Sequence, residues 1–161
     1  MRSIRRIRQL FWSAIFFLSI MAMTFLFMPV VVKAGEHNRM VVVLLGMIFW
    51  ISAIIGYLMI TVAEHERKWF INHRLDGNLK MNCRSGVITF FANIPATVFD
   101  VMMIASFLVL IVIGFTELRN EYVSYVLLFF LVLSLNMHCL FNGRIYKLIN
   151  LTLVRRERSY E

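Results

Sequence analysis

GVITFFANIPATVFDVMMIASFLVLIVIGF, residues 86–115, is the longest stretch of the chain almost free of charge, and its reading decides the fold class. About 20 apolar residues rising 1.5 Å each cross a hydrocarbon core of roughly 30 Å, so such a run reads as a membrane span. Its 30 residues are too many for one straight crossing, since a continuous helix of that length would extend about 45 Å. Pro95 is the natural break. Proline suits the first turn of a helix and disrupts an interior, and Asn93, just before it, is a residue type that caps helix starts. The expectation is an interfacial segment over 86–94 followed by a span over 95–115; one long helix kinked at Pro95 is the alternative. The stretch carries one ionisable residue, Asp100. A carboxylate at the centre of a membrane helix costs about 2.5–3.5 kcal/mol on insertion scales, so it is expected to face protein or water and to mark a site.

Three further apolar runs surround this one, over about 11–32, 40–63 and 122–141. With 60% hydrophobic residues and a mean hydropathy of +0.76, the chain is far more apolar than a soluble domain, where the share is roughly 45–50%. The expected fold is a single all-α domain over 1–161, a four-transmembrane-helix bundle of two antiparallel hairpins. The opening MRSIRRIRQL followed by an apolar run resembles a signal peptide in outline, but the run is 22 residues long, against about 7–15 for a signal sequence. An uncleaved first span is therefore expected, with Pro29 near its end, where a missing backbone donor is tolerated. The short link KAGEHNR (33–39) returns the chain at once into the second span. There Ser52 and Gly56 stand four apart on one face, a small-xxx-small pair that lets another helix approach closely; packing within the chain is the reading preferred over a dimer seam. Trp50 and Tyr57 are read as packed rather than as interfacial belt residues.

The connection over 64–86, beginning EHERKWFINHRLDGNLKMNCRS, is charged and holds the turn signal Asp76-Gly77-Asn78, so it belongs at the water interface as a solvated face, with Trp69 and Phe70 dipping into headgroups. His65, His73 and Cys83 are zinc-ligand types at spacings that fit no metal pattern, and no metal or cofactor is expected. The tail 142–161 alternates basic and apolar residues, as an amphipathic segment on a membrane surface does. Cys83 and Cys139 do not suggest a disulfide framework.

Of the 17 Lys and Arg residues, four precede the first span, five lie in the 64–86 connection and five in the tail, leaving only Lys33, Arg39 and Arg119 in the two short links. The positive-inside rule then places both termini and the long connection in the cytoplasm, with the protein in the plasma membrane. The net charge of +8 is accounted for by this topology rather than by nucleic-acid binding, because the cations sit in blocks beside apolar spans.

The third span runs outward and the fourth returns, so Asp100, Asn136 and His138 share one membrane level as a candidate polar cluster. At about 100° per residue Asn136 and His138 point roughly 200° apart and cannot both meet Asp100. Asn136 is the expected partner, because Cys139 and Gly143 on its face are small and allow close approach; Ala96, Met103, Ile104 and Phe107 are expected beside Asp100 on the side that faces the bundle. Cys139 is read as a small packed thiol. No glycine-rich phosphate loop, paired carboxylates or HExxH motif is present, and an enzyme is not expected. The expected function is that of a non-catalytic accessory, regulatory or immunity-type membrane component, surrounded by lipid and working with a membrane-protein partner or as a homo-oligomer. A small proton- or ion-coupled transporter using Asp100 is the alternative.

The segment NIPATVFDVMMIAS (93–106), with Ala96 four residues before Asp100, followed by a span and then NGRIYKLINLTLV (142–154), resembles the RDD family of small bacterial membrane proteins over about 60 residues. In that family Arg-x-x-Ala-x-x-x-Asp opens a span, and a Gly-rich, Lys-containing stretch follows the next. Asn93 stands where the family has Arg, and Tyr146 where it has a second Gly before Lys. The resemblance implies Asp100 and Lys147 as family positions and a transport-related role.

Overall fold

The structure, a computed structural model, describes residues 4–35, 39–74, 90–116 and 120–150. It contains helices α1 (Ile4–Gly35), α2 (Arg39–Arg74), α3 (Ile94–Phe115) and α4 (Glu121–Phe141), and no strand among the described residues. All four are long and apolar enough to cross a membrane. After a bend at 142–143 the chain is helical again over 144–150.

Two helices run past the apolar spans that predict them. α1 already begins at Ile4 and takes in Arg5, Arg6 and Arg8, while α2 continues through 64–74. The residues AEHERKWFINHR contain neither glycine nor proline, and once a helix exists each added residue gains a hydrogen bond at little further cost. This part of the connection is not simply a solvated face. Glu66 and Arg67 are buried: Arg67 binds Glu64 through two hydrogen bonds of 2.7 and 2.5 Å, and Arg6 of α1 lies 3.7 Å from Glu66. The Asp76–Asn78 turn signal, Cys83, the 86–89 segment and the tail beyond 150 lie outside the described residues.

α1 is the central element. Its buried positions Ile7, Phe11, Ala14, Leu18 and Met21 recur at alternating steps of four and three, which aligns them in one stripe. It packs against both α2 and α4, whereas α3 packs only on α4, so among the described residues the helices lie in the order α2, α1, α4, α3. α2 meets α1 through small residues: Ser52, Ala53, Gly56 and Ala63 are all buried. A Cβ on Gly56 would stand 2.9 Å from the side chain of Leu18. Ser52 turns its hydroxyl back to the carbonyls of Ile48 and Phe49, at 2.6 and 3.0 Å, and so leaves no polar group at the seam unsatisfied. The small pair thus serves packing within the chain. Trp50, expected to pack, is instead 65% exposed, because it projects from the side of α2 turned away from α1.

The core gathers at one end of the molecule, where α1 and α3 start and α2 and α4 finish. Phe141 is its hub, stacked on Phe99 at 5.6 Å between centroids and edge-on to Phe11 and Tyr146 at 5.9 and 5.0 Å. These rings join α1, α3, α4 and the segment 144–150 around one point. At the opposite end the ammonium of Lys33 sits 4.9 Å above the ring of Tyr122, so α1 follows α4 along most of its length.

Candidate functional site

The start of α3 is built from local signals. Asn93 is the N-cap, its side-chain oxygen accepting from the Ala96 N–H at 2.9 Å, and Pro95 occupies the first turn, where no backbone donor is needed. The chain is not helical over 90–93, so α3 starts at Ile94 and there is no single helix kinked at Pro95. The amide nitrogen of Asn93 also donates to the carbonyl of Phe141 at 2.9 Å, tying the start of α3 to the end of α4. Asn93→Ala should therefore cost about 1–2 kcal/mol. Asn93→Asp, which keeps the cap and loses the donor, should recover roughly half of that in detergent unfolding.

Asp100 follows on the second turn and is completely buried. One carboxylate oxygen bonds Nδ1 of His138 on α4; the other accepts the backbone N–H of Phe91 at 2.6 Å. Phe91 has φ of 58°, a left-handed conformation unusual for a bulky side chain. The carboxylate anchors that turn back over the start of α3, and Phe90 packs its ring against the His138 imidazole at 4.7 Å. Asp100 thus joins three pieces of chain.

The partner is His138 and not Asn136, which corrects the sequence expectation. The roughly 200° between the two residues does separate them, but the small residues on the Asn136 face open toward α2 rather than α3. Asn136 donates to the Val132 carbonyl at 2.8 Å and accepts the Tyr57 hydroxyl of α2 at 2.9 Å. Cys139, expected to be packed, is exposed and borders a cleft shared with α2. Ser134, one turn before His138 on the same face of α4, is small and fully buried. On α3, Ala96, Asp100 and Ser106 are buried, while Ile104 and Phe107 are exposed rather than turned inward. A serine fits where two helices touch, and a phenyl ring at Phe107 would hold them apart.

Asn142, one turn beyond His138, completes the group with its Nδ2 2.9 Å from the same imidazole Nδ1, while its buried Oδ1 has no partner among the described residues. If Nδ1 carries a proton for Asp100 it cannot also accept from an amide, and turning the amide over would only transfer the mismatch to Nδ2. His73 is engaged elsewhere: its ring stacks on Trp69 and its Nδ1 lies 2.9 Å from the Trp69 carbonyl. Among the described residues no three His, Cys, Asp or Glu side chains form a group able to hold a metal ion. The chain matches no protein-family model, no curated protein and no solved structure.

Proposed function

We propose that this protein is a non-catalytic component of a bacterial plasma membrane, an accessory, regulatory or immunity-type subunit that acts through a membrane-protein partner or a second copy. The observation that carries this reading is the state of Asp100: both of its oxygens are engaged by His138 and Phe91, so the carboxylate works as a fastener. Two antiparallel hairpins with both termini inside are the accompanying topology. In their support, Arg6 near the start of α1 lies beside Glu66 near the end of α2, and Asn93 at the start of α3 bonds Phe141 at the end of α4. Under this topology Glu36→Cys and Asn120→Cys should react with an impermeant thiol reagent on intact cells, and Asn78→Cys should not. Reaction at position 78 in intact cells would reverse the orientation.

The transporter reading draws on one observation, the His138 imidazole shared between a buried carboxylate and an incompletely bonded amide. The RDD resemblance, proposed on Asp100 and Lys147, points the same way; the family's arginine position is held here by the capping residue Asn93. Purification in mild detergent should recover a stoichiometric partner or an oligomer. Proton or solute flux in proteoliposomes of the pure protein, abolished by Asp100→Asn while the fold persists, would replace the subunit reading with the transporter.

A further inference from the structure

α2 and α4 both pack on α1 without packing directly on each other, and near the end of α2 the gap between them is a cleft. Tyr57 and Asn136 bridge it at one level by their hydrogen bond. One turn further along α2 it opens into a cavity of about 360 Å³, with Ile60, Leu140 and Ile145 as its apolar wall and Arg144 at its rim. Arg144 also borders a second cavity of about 260 Å³, which adds Arg67 and Lys68. Among the described residues that line the two cavities the cations are Arg67, Lys68 and Arg144, and the one acidic side chain is Glu64, bound by Arg67. The cleft lies where α2 passes from apolar residues ending at Ala63 to the charged run beginning at Glu64, the level at which headgroups meet acyl chains.

We propose that this cleft seats an anionic phospholipid, with its phosphodiester against Lys68 and Arg144 and an acyl chain along Ile60, Leu140 and Ile145. A soluble anion would use only the basic part, and a neutral apolar ligand only the wall. The two together match an amphiphile carrying negative charge. The seat is independent of whether Asp100 moves protons.

The test is thermal unfolding of the purified protein in a neutral detergent, with phosphatidylglycerol, phosphatidylcholine of the same chains, or inorganic phosphate added. Phosphatidylglycerol at about ten times its Kd should raise the midpoint by roughly 3–6 °C. Phosphatidylcholine should raise it by less than half as much, and phosphate should leave it unchanged. Lys68→Gln combined with Arg144→Gln should remove the phosphatidylglycerol response; Arg39→Gln, at the other end of α2, should retain it. An equal response to phosphatidylcholine, an equal response to phosphate, or a response surviving in the double variant would each overturn the proposal. Cys139 gives a second readout that needs neither arginine nor lysine replaced. In a Cys83→Ser background, phosphatidylglycerol should slow maleimide labelling of Cys139 several-fold relative to phosphatidylcholine, and an unchanged rate would overturn the seat.

Discussion

Asp100→Leu should destabilise the protein by about 3–5 kcal/mol, the loss that follows when one member of a buried polar pair is removed and the other stays behind. His138 would lose its carboxylate, and the Phe91 N–H would be left without an acceptor beneath a strained turn. Asp100→Asn should cost only about 1–2 kcal/mol, because its oxygen can still accept from Phe91 while its NH₂ donates to the other tautomer of the imidazole. A double-mutant cycle in detergent separates the candidate partners. Coupling of Asp100 to His138 should be on the order of 1–3 kcal/mol, and coupling to Asn136 should stay within about 0.5 kcal/mol. Strong coupling to Asn136 instead would mean that α4 is rotated from the orientation described.

The second large effect is at the seam between α1 and α2. Gly56→Val should cost about 1–3 kcal/mol, since its side chain would meet Leu18, which is itself buried with nowhere to retreat. Leu18→Ala alone should cost about 2–5 kcal/mol through the cavity it leaves. The two together exchange three carbons from one helix to the other and conserve volume, so the double variant should be more stable than the sum of the single losses implies. Strict additivity would show that the two residues do not touch.

The parts of this architecture legible in the sequence are those with a local cause. Four runs of membrane length, the absence of strand patterns and the start of α3 all follow from apolar periodicity and from Asn93 and Pro95. The partner of Asp100 was not legible in the same way. Depth arithmetic places Asn136 and His138 at one level, but choosing between them requires knowing which side of α4 meets α3. That side is decided by α1, which lies along another face of α4 and leaves Cys139 and Gly143 looking into the cleft toward α2. Burial of Glu66 and Arg67 was hidden for a related reason. Charge in a connecting stretch reads as solvated, and only the neighbouring helix, bringing Arg6 alongside, creates the interior in which these residues lie.

The order α2, α1, α4, α3 also sets a timetable for biogenesis. Of the four described helices α1 is synthesised first; it has two neighbours, and the second of these is completed only at Phe141, 106 residues after α1 ends at Gly35. At about 5–20 residues per second that is an interval of roughly 5–20 s. During it the side of α1 destined for α4, with Phe11 still lacking the rings of Phe141 and Tyr146, is solvated by lipid or held by the insertion machinery. Assembly therefore finishes with the arrival of α4, and a nascent chain arrested before residue 141 retains the α1–α2 seam while lacking the aromatic junction that unites the two halves.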